Sequence, residues 1–126
     1  MQGNDKRTTK KLAGEAEVHK AIAAMPEPDR TMGERLHVII TSSATDLMPR
    51  TWYGMPAYSI KTESHGDKIV CFFRSRQKFG ERFMTLGFND TAKLDEGSMW
   101  PIYYALTDLT DNEEKKIIAL VKKAVG

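Results

Sequence analysis

The apolar residues of this chain change their spacing twice, and this change limits the fold more than any other feature of the sequence. Up to about Ala44 they recur every three to four positions, as on one face of a helix. From Trp52 to about Thr107 they alternate or form short continuous runs, which is typical of strands. After Thr110 the helical spacing returns. The pattern predicts helices, then an antiparallel sheet, then a closing helix.

Two helices are predicted before the sheet. The first covers residues 13–25, where Val18 and Ile22 share a face, and it ends at Pro26. The second begins near Asp29 and runs to about residue 44, with its own amphipathic stripe, and Pro49 blocks any continuation of this helix. Together they place two helices in the N-terminal third of the chain.

Four strands and a third helix are predicted after them. The strands cover residues 57–62, 68–74, 82–88 and 101–107, and the first two form a hairpin. Thr110 and Glu113 form a capping box, which starts the last helix. The predicted fold class is α+β, with two N-terminal helices, an antiparallel β-meander of about four to five strands and a C-terminal helix, the helices being packed on one sheet face.

The 126 residues suit one domain, predicted over residues 13–126 after a flexible basic tail of residues 1–12. A single cysteine and the lack of a long apolar run predict a cytoplasmic protein with no membrane partner. The net charge of +2 is small, and the lysines cluster at the two termini. No nucleic-acid partner is expected unless those termini form one basic stripe.

Few residues suggest chemistry. His19, His37 and His65 show no i, i+4 pair that would put two imidazoles on one metal ion, so no histidine metal site is predicted. Cys71 lies in the most apolar strand and is predicted to be a core residue. No catalytic motif is present in the sequence, and no catalytic residue is assigned.

Three carboxylates follow the third predicted strand. Asp90, Asp95 and Glu96 could gather in the link before the fourth strand, where they would offer oxygen ligands to a hard cation. Their spacing matches no calcium-loop pattern, and solvated loop acids are the alternative interpretation.

Two groups of aromatic residues and prolines flank the sheet. They supply large apolar area with polar tips, which suits either a corner of the core or the wall of a ligand cleft. Both interpretations remain open. The candidate ligand-binding residues are Trp52, Tyr53, Met55, Tyr58 and Trp100.

Four segments together resemble the YdhG-like family, a domain of unknown function grouped with the frataxin (CyaY-like) and YjbR-like domains. They are WYGMPAY, IVCFF, TLGF and LDEGSMWP, and the resemblance spans nearly all of residues 14–126. It implies an α+β fold, and for some members a role as a frataxin-like intracellular iron chaperone. Frataxins hold iron on an acidic first helix, where this chain has only Glu15 and Glu17 as carboxylates.

Two functions are therefore predicted. The first is a non-enzymatic module that binds a small molecule or a protein through the aromatic cleft. The alternative is an iron-binding chaperone, with iron as the one cofactor that the resemblance implies. The sequence leaves open whether the protein is a monomer or a homodimer.

Overall fold

The computed structural model describes the backbone of residues 2–126 and the side chains of residues 6–126. Its helices are α1 (Gln2–Ala23), α2 (Asp29–Ser43) and α3 (Asp111–Val125), and a short 3₁₀ helix covers Arg76–Lys78. Its strands are β1 (Met48–Trp52), β2 (Met55–Thr62), β3 (Gly66–Arg74), β4 (Met84–Phe88) and β5 (Tyr103–Leu106). Within the described part of the chain, no helix has the length and apolar character needed to cross a membrane.

The five strands form one antiparallel sheet in the order β1-β2-β3-β4-β5, so each strand pairs with its neighbour in sequence. This confirms the predicted α+β meander between N-terminal and C-terminal helices. Strand β1 was not among the predicted strands, because Pro49 was interpreted only as a block to the preceding helix. A proline is tolerated in an edge strand, where its missing N–H leaves no ladder bond unmade, and β1 is an edge strand.

The predicted start of the first helix, at residue 13, is wrong, because α1 begins at Gln2. The early turns carry no apolar stripe, but they have polar contacts with the rest of the domain. The Lys10 ammonium lies 2.7 Å from the Asp67 carboxylate, and an Arg7 guanidinium nitrogen lies 3.3 Å from the Asp46 carbonyl oxygen. Met1 lies outside the described residues.

The main core lies between the sheet and the three helices. Alternate strand residues face the helices, and the bulge between Tyr58 and Ser59 keeps both Val70 and Cys71 on that side. Cys71 is fully buried in this core, which confirms its predicted role as a core residue. Burial raises the pKa of its thiol to about 12. The most deeply buried members include Val18, Ile22, Leu36, Ile40, Tyr58, Phe73, Leu86, Phe88 and Val121.

Helix α1 lies close against the edge strand. A Cβ atom at Gly14 would overlap the carbonyl oxygen of Pro49, so only glycine permits this approach. The close approach fixes the next turns of α1, with Glu15 and His19, beside α2 and β2.

The opposite face of the sheet carries a second, smaller apolar cluster of Met55, Ala57 and Phe72, flanked by Trp52 and Ile69. Its members all come from strands. One cross-strand row traverses this face from edge to edge: Arg50, Ala57, Phe72, Gly87 and Tyr103.

Only glycine fits at position 87 of this row, because the neighbouring rings occupy the space of a side chain. A Cβ atom there would overlap the Phe72 ring and would lie 2.9 Å from Cδ1 of Tyr103. We expect Gly87→Ala to reduce the free energy of unfolding by about 1–3 kcal/mol, because overpacking moves the Phe72 ring. Urea denaturation measures this change. The same substitution in a Phe72→Leu background should cost less, and an equal cost in both backgrounds would contradict the explanation.

The capping box predicted at the start of α3 is confirmed. The Glu113 carboxylate accepts a hydrogen bond from the Thr110 backbone N–H at 2.7 Å, and the reciprocal bond is present. These contacts begin the helix at Asp111.

Hydrogen bonds from the Thr110 hydroxyl and backbone lower the pKa of Glu113 below its usual value of 4.5. A lowered pKa in the folded state means that the stabilisation is present above the unfolded-state value and disappears as pH falls through the folded-state value. An NMR titration should therefore show Glu113 titrating below 4.5. Thr110→Ala should move the midpoint upward, whereas Thr110→Ser should leave it low.

Candidate functional site

The structure divides the five predicted ligand-binding residues between different places. Trp52, Tyr53 and Met55 lie together near the β1–β2 turn. The Trp52 ring contacts Tyr53 and Phe72 edge to face, with ring centroids 5.1 and 5.3 Å apart. Tyr53 is 77% exposed, whereas Met55 is buried. This part of the predicted group is on the helix-free face.

The other two residues lie elsewhere, so the five do not form one cleft. Tyr58 is fully buried in the main core, because a strand turns successive side chains to opposite faces and Tyr58 is three positions from Met55. Trp100 packs partly against the main core and lines a separate cavity of about 420 Å³ with Asp90 and Asp95.

The structure does not bring all three predicted metal-binding carboxylates to one point, since Asp90 and Asp95 line the same cavity but Glu96 does not. Asp90 lies 3.6 Å from the Lys68 ammonium, and Glu96 lies 3.0 Å from that of Lys123. A different group of three side chains has ligand atoms close enough together to hold an ion, among the side chains of residues 6–126 that the structure describes.

That group is Glu15, His19 and His37, which we call the histidine cluster. Its ligand atoms all lie within 4.8 Å of one another. The Nε2 atoms of His37 and His19 lie 3.0 and 3.7 Å from the same oxygen of Glu15, Oε2. The two imidazole centroids are 4.9 Å apart. One carboxylate and two ring nitrogens therefore surround a single point between α1 and α2.

Each imidazole of the histidine cluster is held by a further partner at its other nitrogen. Nδ1 of His37 lies 2.8 Å from the Tyr58 hydroxyl oxygen, and Nδ1 of His19 lies 3.2 Å from Oε2 of Glu34. In the metal-free protein, Nε2–H of His37 can donate to the Glu15 carboxylate while the Tyr58 hydroxyl donates to Nδ1. Binding of an ion requires the other tautomer, with the proton on Nδ1 of each ring and the Nε2 lone pairs directed at the metal. Metal-bound histidines commonly have such partners, which fix the tautomer and the ring orientation.

The histidine cluster is buried on one side and open on the other. The side chain of His37 is 4% exposed, that of Glu15 is 29% exposed and that of His19 is 50% exposed. Burial raises the pKa of Tyr58 well above its usual range, so its phenol stays neutral and can either donate a hydrogen bond to Nδ1 of His37 or accept one from it. The inner ligand is thus rigid, and the outer one is reachable from solvent.

Helical spacing between histidines does not reveal this cluster, because its two histidines lie on different helices. Glu15 and His19 are four residues apart on α1, so they share a face, and that half of the signal was present in the sequence. His37 is on α2, and only the packing of the two helices brings it to the same point.

Comparison of the chain with protein-family models, curated proteins and solved structures gives no match. The resemblance to the YdhG-like family therefore stays a prediction.

Tyr58→Phe should reduce the free energy of unfolding by about 1–3 kcal/mol, because it leaves the buried Nδ1 of His37 without a partner. Urea denaturation at neutral pH measures the change. Tyr103→Phe is the matched control, since Tyr103 is 61% exposed and has no such partner among the described side chains. Equal stability of the two variants would show that the hydrogen bond between His37 and Tyr58 contributes nothing.

Proposed function

We propose that this protein binds a divalent first-row transition metal through Glu15, His19 and His37. The observation that carries the proposal is the convergence of two imidazole Nε2 atoms on one carboxylate oxygen, at 3.0 and 3.7 Å. A metal ion bound at the centre would replace these direct contacts by three coordinate bonds.

The distances suit such an ion with little rearrangement. Bonds of about 2.0–2.2 Å in tetrahedral geometry separate neighbouring ligand atoms by about 3.3 Å. The two distances to Glu15 lie on either side of this value. The imidazole nitrogens lie no more than 4.8 Å apart, so a movement of the half-exposed His19 side chain would bring all three ligand atoms into range while the buried His37 stays in place.

The ligand set favours particular metals. Imidazole nitrogen suits zinc, iron, cobalt, nickel and copper, whereas magnesium and calcium prefer oxygen ligands alone. Two histidines with one carboxylate occur in zinc sites with an open position and in iron(II) sites. Iron(II), the metal of the predicted chaperone role, is within this class.

Three protein ligands leave at least one coordination position open, and the half-exposed His19 is on the solvent side. A structural metal site is usually closed by four protein ligands and buried. The histidine cluster is therefore suited to taking up and releasing an ion. This supports a carrier or chaperone of metal ions over a site that only holds the fold together.

Calorimetric titration of the metal-free protein tests the proposal, with Zn²⁺, Co²⁺ and, without oxygen, Fe²⁺. We expect one ion per chain, and at a free metal concentration 100 times the dissociation constant the fold should gain about 2.7 kcal/mol of stability. Glu15→Gln and His37→Asn should each weaken binding by about tenfold or more, because each removes a ligand.

Two controls separate this site from other metal-binding groups. His65→Asn removes an exposed turn histidine that is not in the cluster, and it should leave the affinity unchanged. The triple variant Asp90→Asn, Asp95→Asn and Glu96→Gln should also bind normally. Binding that disappears in the triple variant and persists in Glu15→Gln would overturn the assignment, as would the absence of heat with all three metals.

A further inference from the structure

The helix-free face of the sheet carries a row of aromatic rings in contact with one another, and the two outer rings are exposed. We define the aromatic face as Trp52, Tyr53, Phe72 and Tyr103. The centroids of Tyr53 and Trp52, Trp52 and Phe72, and Phe72 and Tyr103 are 5.1, 5.3 and 6.1 Å apart, all in edge-to-face contact. Tyr53 and Tyr103, at the two ends, are 77% and 61% exposed. Large exposed rings of this kind mark surfaces that bind a partner.

The middle of the aromatic face is rigid. The Phe72 ring lies across Gly87 and beside Tyr103, and it is only 4% exposed although no helix residue joins its cluster in the described chain. Trp52 and Tyr103 flank it on either side. A ligand would thus meet rings that are already in position, which reduces the entropic cost of binding.

Tyr53 is held in a strained backbone conformation at the tip of the β1–β2 turn. Its φ is 51°, a left-handed value that a bulky residue rarely adopts, and Gly54 follows at 75°. Two-residue hairpin turns of this form prefer asparagine or glycine at the first position. Because Tyr53 is mostly exposed, core packing does not offset the strain. Strain at an exposed aromatic residue points to a role in recognition.

The charges on this face are mainly positive. Arg50 is exposed and lies in the same cross-strand row as Phe72, and Arg74 is two positions along β3. The Lys78 ammonium donates a hydrogen bond to the carbonyl oxygen of Tyr53. Glu81 pairs with Arg74 at 3.1 Å. Asp67 lies near Arg50, and its pKa is lowered chiefly by a hydrogen bond from Lys10 and also by the charge of Arg50. Arg50, Arg74, Lys78 and Lys10 thus outnumber Glu81 and Asp67.

We propose that the aromatic face binds single-stranded nucleic acid. Unpaired bases stack on exposed aromatic rings, and arginine and lysine neutralise the phosphates between them. A proline-rich peptide would use the rings but would not need the cations, so the charge favours the nucleic acid. The sequence-based expectation of no nucleic-acid partner depended on the lysines at the two termini. The aromatic face uses other residues, from the strands, the β1–β2 turn and the 3₁₀ helix.

Fluorescence anisotropy with labelled dodecamers of deoxythymidine and of uridine tests this proposal on the full chain. Tyr103→Ala should weaken binding by about tenfold, the range typical for removal of one stacking platform. Tyr53→Asn should also weaken binding, yet it should raise the melting temperature, because asparagine relieves the strained turn. A gain in stability together with weaker binding cannot arise from misfolding.

Salt dependence gives a second readout. Arg50→Ala combined with Lys78→Ala should reduce the slope of log affinity against log salt by about 0.7 for each phosphate that is no longer neutralised. Lys115→Ala on α3 is the matched control, since it removes an exposed cation from a helix on the other side of the sheet, and it should leave the affinity unchanged.

Three results would overturn the proposal. They are no anisotropy change with either dodecamer at low salt, equal affinity of Tyr103→Ala and the unmodified protein, and binding of a proline-rich peptide when neither dodecamer binds. Each result is independent of metal binding, because the aromatic face and the histidine cluster share no residue.

Discussion

The fold depends on one constraint, which is that the three helices bury a single face of a five-stranded sheet. Successive strand residues point to opposite faces, so the strands supply two different sets of side chains. The helix side receives Tyr58, Cys71, Phe73 and Phe88 and forms the main core. The other side receives Trp52 and the other strand aromatics and remains open. Both proposed sites follow from this separation.

The histidine cluster shows how a polar group is accommodated in that core. His37 is almost fully buried, and a buried imidazole without partners is costly. Tyr58 from the sheet and Glu15 from α1 satisfy its two nitrogens, so one hydrogen-bonded chain joins β2, α2 and α1. The same chain orients the Nε2 atom toward the solvent-accessible edge. A structural hydrogen-bond network and a metal-binding geometry are thus compatible in one place.

Sequence patterns predicted features that depend on neighbouring residues, but not features that depend on contacts between distant parts of the chain. The capping box at Thr110 and the burial of Cys71 depend on neighbours in sequence, and both are confirmed. The predicted cleft placed Tyr58 and Trp100 beside Trp52. The structure separates these residues, because Tyr58 and Trp100 pack on the main core and Trp52 is on the opposite face of the sheet. Strand β1 was missed because Pro49 was interpreted only as a block to the preceding helix. Its place at the sheet edge makes a proline acceptable in a strand.

The sequence by itself determined the element types and the α+β class, because hydrophobic spacing and helix caps act over a few residues. It also placed Glu15 and His19 on one helical face. Only the tertiary structure decided that His37 meets them, and that Phe72 and Tyr103 join Trp52 on an open surface. Those contacts depend on how closely α1 approaches β1 at Gly14 and on the register across the sheet. Both are set by packing between residues far apart in the chain.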